Sequence, residues 1–209
     1  GILSNNYSDL IGGSDGMECF YDPLDTNLLY FTTQNGNLYR YNLNSSPSTT
    51  NINPPGTNQT GAWVTPFLRD PIDPYAIYAG FTDIWKNPRH GSFDWINLTN
   101  GATGTLEATI VTVAPSDNNY IYVVKSHSFL YRTTDGGQTW TRTQTQGTLP
   151  RFTSISIHPE NPDILWATGE FFGPEGRGVG RVLHVDGGDD AGEDGRGPER
   201  VPVLRPVAL

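Results

Sequence analysis

The chain has 209 residues, 35% of them hydrophobic and 17% charged, with 24 Gly, 16 Pro, one Cys and a formal net charge of −9. A packed core is within reach at this length, while the low charge and the abundance of turn formers argue against a helical bundle and suit short strands joined by turns. No run of about 18 apolar residues occurs, so there is no transmembrane helix; the acidic balance argues against nucleic-acid and anionic-membrane partners; and the lone Cys19 excludes a disulfide framework and any multi-cysteine metal site.

In chain order, one pattern recurs four times: a strand, a Pro-containing turn with Asp or Asn, then an aromatic strand. It reads CFYDPLDTNLLYF at 19–31, FLRDPIDPYAIYAG at 67–80, VAPSDNNYIYVV at 113–124 and IHPENPDILWATG at 157–169. Its register prolines, Pro23, Pro71, Pro115 and Pro159, are spaced 48, 44 and 44 residues apart. The repeat units lie near 17–60, 61–105, 106–148 and from 149 to 172 onward. In the third, alternation and turn signals predict strands at Ala108–Val113, Tyr120–Lys125, Phe129–Thr133 and Trp140–Thr143. Four strands in about 44 residues, repeated, predict an all-β chain of four-stranded antiparallel β-propeller blades, about three blades plus a degraded fourth.

The composition changes after Phe172. Residues 173–209 contain no Phe, Tyr or Trp and no Ser, Thr, Asn, Gln or Lys, yet hold nine Gly and five Arg. Two readings stay open: a disordered tail that cannot bury enough apolar surface, or a lost reading frame. The opening at Gly1, without Met or an apolar leader, reads as a processed or excised piece.

The third unit also carries Thr133-Thr134-Asp135-Gly136-Gly137-Gln138-Thr139-Trp140. Asp135 is suited to accept hydrogen bonds from its own turn, Gly136 and Gly137 to take backbone angles that side chains resist, and Trp140 to wedge between neighbouring sheets. The segment matches Ser/Thr-x-Asp-x-Gly-x-Thr-Trp and resembles the Asp-box (BNR-like) propeller families, which include sialidases, xyloglucan hydrolases, sortilin-type receptor domains and secreted bacterial propellers. Thr133, Asp135, Gly137, Thr139 and Trp140 are the residues that carry the likeness. It implies a structural role for this turn, set away from the ligand face, and an extracellular, secreted location. It also implies remaining blades in a longer chain. The opening Ile11-Gly12-Gly13-Ser14-Asp15-Gly16-Met17-Glu18, with QNGNLYR at 34–40, is similar to the blade openings of secreted Asp-box proteins, except for the inserted Ser14.

Chemistry is sparse. Residues 1–172 hold six Arg, none in a recognisable carboxylate-binding motif, and no zinc-helix, phosphate-loop or nucleophile-elbow pattern occurs. His90, His127, His158 and His184 lack metal-ligand spacing. A glycosidase needs two carboxylates about 5–9.5 Å apart; Asp15 is the weak catalytic candidate, with Asp83 and Asp94 as conceivable partners and turn capping as the competing reading. The acids at Asp186, Asp189, Asp190, Glu193 and Asp194 read as a solvated charge run. Among the aromatics Trp63, Trp85, Phe93, Trp95, Tyr120 and Trp166, the residues Trp85 and Trp95 are expected to be the most exposed and to offer a stacking surface for sugars. No cofactor and no metal is expected. The expected function is a non-catalytic extracellular module for glycan or protein recognition or scaffolding, the alternative a fragment of a sialidase- or xyloglucanase-like glycoside hydrolase acting on polysaccharide.

Overall fold

The computed structural model describes residues 14–55, 59, 61–92, 94–145, 151–172, 178–186 and 203–206. They form the expected all-β, blade-built fold. The first sheet contains β1 (Gly16–Tyr21), β2 (Leu28–Thr33), β3 (Asn37–Asn42) and β4 (Thr49–Asn51), each antiparallel to the next. The second repeats the meander with β5 (Phe67–Arg69), β6 (Ile77–Gly80), β7 (Ile84–Asn87) and β8 (Ile96–Asn97). The third has β9 (Ala108–Val113), β10 (Ile121–Lys125), β11 (Phe129–Thr133) and β12 (Thr141–Arg142), within a residue or two of the strands predicted there. In the fourth, β14 (Arg151–Ile157), β15 (Ile164–Phe172), β16 (Gly178–Asp186) and β17 (Val203–Pro206) continue the antiparallel order, and β13 (Gln144–Thr145) pairs parallel to β17. Of residues 173–209, the structure thus describes two strands.

The sequence repeat encodes one local device, used four times. In each blade the first residue of the turn donates its main-chain N–H to the carbonyl six residues on: Asp22 to Leu28, Asp70 to Ala76, Ala114 to Tyr120 and His158 to Ile164. Three residues after it, Asp25, Asp73, Asp117 or Asn161 caps the turn by accepting the N–H two residues further on, at 2.9–3.0 Å. Short polar side chains that bond their own backbone are what such turns select. Eight residues after the turn's start stands the ring of the second strand, Tyr30, Tyr78, Tyr122 or Trp166. The first two tyrosines donate their hydroxyls to the buried Asp22 and Asp70, both at 2.9 Å. Ala114 offers no carboxylate, and Tyr122 donates instead to Pro162 O at 2.7 Å.

Apolar clusters between consecutive blades hold the arc together. Tyr30, Leu38 and Ile52 meet Phe67, Ile77 and Ala79 between the first two blades. Tyr78 and Ile84 meet Val111, Ile121 and Val123 at the next interface, and Tyr122, Val124 and Leu130 meet Phe152, Leu165 and Ala167 at the third. Polar ties cross the same seams: Arg40 reaches His90 O at 2.9 Å, Arg132 reaches Asp163 at 2.9 Å, and the His90 ring bonds Asp22.

Candidate functional site

The innermost strands β1, β5, β9 and β14 stand side by side along the axis, each an edge strand of its own sheet. Between them lies a cavity of about 310 Å³. Glu18 lines it from β1; Phe67 and Leu68, with Val64 and Pro66 just before, from β5; residues 109–112 from β9; and Thr153, Ser154 and Ile155 from β14. Its lining mixes the apolar Val64, Pro66, Phe67, Leu68, Ile110, Val111 and Ile155 with the hydroxyls of Thr109, Thr112, Thr153 and Ser154, and Glu18 is the sole charged residue among the described residues that line it. Two of the hydroxyls are already oriented: Thr109 accepts from His127 N at 3.0 Å, and Thr153 pairs with Thr168 at 2.8 Å.

The registers define two ends of the molecule, and the cavity runs along the innermost strands from the end where they begin. Gly16 pairs with Thr33, Phe67 with Ala79, Ala108 with Lys125 and Arg151 with Glu170, so the innermost strands begin where each second strand turns back. The Pro-containing turns and the turns between third and fourth strands lie at the opposite end. At the cavity's end the segment 61–66 is pinned to the first blade by Asn35 N to Trp63 O at 3.3 Å and Gly61 N to Asn35 O at 3.2 Å. That segment holds Trp63 out, 59% exposed, with Val64 beside it at 46% and lining the cavity. Asp15 is exposed directly ahead of β1, at this same end.

Asp83, in the turn between β6 and β7, is committed to Gln59 and to the segment 97–101. It accepts from Gln59 Nε2, Asn97 Nδ2, Thr99 Oγ1 and Gly101 N at 2.7–3.0 Å. Burial would raise its pKa, but these bonds together outweigh it and hold the carboxyl at about 2. Lys125 is buried across the seam with its ammonium on Phe81 O and Thr82 O, and burial pushes its pKa down to about 8. Asp94 is exposed and pairs with Arg89 at 3.8 Å. None of Asp15, Asp83 and Asp94 is among the residues that line the cavity. Among the described residues no cluster of three His, Cys, Asp or Glu could hold a metal ion.

The expectation of exposed Trp85 and Trp95 fails. Trp95 is buried, 9% exposed, and its indole donates to Ile52 O at 2.7 Å. Trp85 is half-buried against the same cluster, its indole N–H without a hydrogen-bond partner among the described residues. The polar loop around them suggested solvent, but the first blade covers both rings. Trp63 and Trp166 are the exposed tryptophans instead. Phe93 lies outside the described residues, as do residues 11–13 and four of the five acids of the tail. His158 accepts two N–H groups of its own turn.

The turn 133–140 lies at the end away from the cavity. Thr133 Oγ1 accepts Gly137 N, Asp135 accepts Thr139 N and Oγ1 at 2.9 and 2.6 Å, and Trp140 Nε1 reaches back to Leu98 O at 3.0 Å. Burial would raise the Asp135 pKa, but the bonds from Thr139 and Thr133 together outweigh it and bring it to about 2. The second blade repeats this turn in other letters. Asn87 Oδ1 accepts Arg89 N and Gly91 N as Thr133 Oγ1 accepts Asp135 N and Gly137 N. His90, with φ 50°, takes the left-handed place of Gly136, and Trp95 reaches Ile52 O as Trp140 reaches Leu98 O. In the letters the two turns share only a Trp a few residues after a Gly, Gly91 with Trp95 and Gly137 with Trp140.

No protein-family model matches the chain, and no curated protein sequence does. Solved structures do. An ancestral GH74 enzyme superposes on 81% of this chain at 18% identity with a TM-score of 0.59, and the Niastella koreensis GH74 enzyme on 82% at 21% identity and 0.56. An auxiliary nutrient-binding protein from Bacteroides thetaiotaomicron covers 84% at 13% identity and 0.52. The matches span 24%, 28% and 39% of those chains, so this chain corresponds to about a quarter of the GH74 structures' length. At such identities the likeness establishes the fold, a β-propeller, and leaves activity to be argued from the site.

Proposed function

We propose that the chain is a non-catalytic, extracellular recognition module that binds a glycan or a protein segment at the axial cavity beside Trp63. The observation that carries this is the exposed indole of Trp63 beside Val64, which lines a cavity that mixes apolar side chains with four hydroxyls. Such a site offers stacking and hydrogen bonds to a neutral ligand. Reading the turn at 133–140 as an Asp-box fits the arrangement, because it then acts as an inter-blade rivet at the far end and leaves the cavity free. Remaining blades of a longer secreted chain belong to the same reading, supported by the fraction of the GH74 structures that this chain spans.

The glycoside hydrolase alternative would use Asp15, which shares the cavity's end. Hydrolysis needs a second carboxylate across the sugar bond; among the described residues lining the cavity Glu18 is the sole acid, and it stands on the strand that Asp15 precedes. Recognition without catalysis needs no such partner. The test is a glycan and peptide array probed with residues 1–209, followed by a reducing-end assay on every glycan bound. Binding that is lost in Trp63→Ala and unaccompanied by product is the expected result. Release of reducing ends that stops in Asp15→Asn would overturn the non-catalytic reading, and an array without hits would overturn the site.

A further inference from the structure

Resting on the reading of the axial cavity as a recognition site, we propose that it takes an extended peptide, bound through its main chain as a strand added to the open edge of β9. Successive side chains of a strand point to opposite faces of its sheet, so a ligand lying on one face meets every second residue. The lining of this cavity instead runs through consecutive residues, 66–68, 109–112 and 153–155. The cavity therefore meets these strands along their edges, where main-chain groups point.

The ladders identify those groups. In an antiparallel pair, residues alternate between exchanging both main-chain bonds with the partner strand and directing them away from it. Gly80 N donates to Pro66 O and Asp70 N to Ala76 O, which fixes the phase of β5 at both ends. Leu68 then bonds to β6, while Phe67 and Arg69 direct N–H and C=O away from it. Ala114 N to Tyr120 O and His158 N to Ile164 O set the same phase in β9 and β14. Val111 and Val113, and likewise Ile155 and Ile157, are left facing the axis. Phe67, Val111 and Ile155 stand 44 residues apart in three successive repeats, and all three line the cavity. No sheet joins β9 to β5 or to β14, yet Phe67 and Val111 are only 3% and 7% exposed. Main-chain groups so placed call for a partner.

Bulges set where pairing along these edges stops. Ala108 pairs with Lys125 and Ile110 with Val124, so Thr109 is an extra residue in β9; Thr153 is the extra residue in β14, between Phe152 paired with Gly169 and Ser154 paired with Thr168. A bulge ends regular pairing and re-aims a side chain; here it brings both threonines to the cavity and leaves the β9 edge regular from Ile110 onward. An open edge presents the donor and the acceptor of one residue side by side, repeated every second residue, and another extended chain supplies the complement in register. Sugar hydroxyls carry no such repeat. Of the innermost strands, β9 brings the longest run to the cavity and lies between β5 and β14. Blades added at either end of the arc would leave its edge facing the axis.

The test screens residues 1–209 and Trp63→Ala against an acetylated, amidated octapeptide library and a neutral oligosaccharide library. Peptides that bind are remade with one N-methyl group at a time, which removes a donor from the peptide and leaves folding of the chain untouched. Binding should weaken roughly tenfold or more at every second residue of the paired stretch and little at the residues between. Hydrogen exchange at the Val111 amide should slow in the complex. Equal sensitivity to methylation at successive residues, or a Val111 amide that exchanges as fast with peptide as without, would overturn the proposal. So would binding of oligosaccharides alone; their loss in Trp63→Ala would leave the recognition site standing with a glycan in it. No binding from either library would overturn the site and the peptide together.

Discussion

Replacing Asp70 by Ala removes a carboxylate whose side chain is fully buried at the seam of the second and third blades. One oxygen accepts Ile72 N and Asp73 N at 2.8 and 2.9 Å. The other accepts the Tyr78 hydroxyl at 2.9 Å and Asn118 Nδ2 at 3.0 Å, with the Lys86 ammonium 3.7 Å away. Truncation leaves a buried hydroxyl and amide unpaired and a half-buried cation without its anion, a class of change that costs about 3–5 kcal/mol. At about 2–4 °C per kcal/mol for a domain of this size, the melting temperature should fall by roughly 6–20 °C. Thermal unfolding followed by circular dichroism reads this directly. Tyr78→Phe in the Asp70→Ala background should cost less than it does alone, with a coupling of about 0.5–3 kcal/mol. An Asp70→Ala chain within about 1 kcal/mol of the parent would refute the reasoning. The third blade shows what compensation looks like: Ala114 holds the corresponding position, and Tyr122 is satisfied by Pro162 O of the next blade. Among the described residues, the Tyr78 hydroxyl is paired with Asp70 and with no such carbonyl.

Trp95→Phe keeps most of the ring's packing but orphans the Ile52 carbonyl, so chemical denaturation should show a loss of about 1–3 kcal/mol; a neutral result would mean that the indole bond contributes nothing to the seam. Acid should also weaken the fold. Asp83 and Asp135 titrate at about 2 and Asp22 below its ordinary value, the last because bonds from His90, Leu24, Tyr30 and Asp25 outweigh its burial. Depressed carboxylates stabilise the folded state above the unfolded pKa and lose that contribution as pH falls from about 4 toward 2. Denaturation midpoints measured across that window should drop, and should drop less in Asp83→Asn; a flat profile would contradict the hydrogen bonding described.

The repeat was legible because its cause is local. Asp22, Asp70 and the caps three residues later act on their own turns, so the pattern survives in the letters, as did the strands of the third blade. The site was not legible, because Glu18, Phe67, Ile110 and Ser154 come from four different repeats and meet only when the innermost strands line up. Exposure of tryptophan depends on the neighbouring blade as well as the loop that holds it. Trp95 sits in a polar stretch and is buried by the first blade, while Trp63, between Ala62 and Val64, stands clear. The second-blade turn escaped notice because Asn87 does with an amide oxygen what Thr133 does with a hydroxyl, and His90 takes a backbone angle usually left to Gly.

The most direct measurement is a backbone amide shift map of residues 1–209 titrated with the tightest ligand from the array. The account expects the largest shifts at Glu18, at 63–68, at 109–112 and at 153–155, and their loss in Trp63→Ala. Shifts centred on the Pro-containing turns at 22–28 and 70–76, at the opposite end, would contradict it.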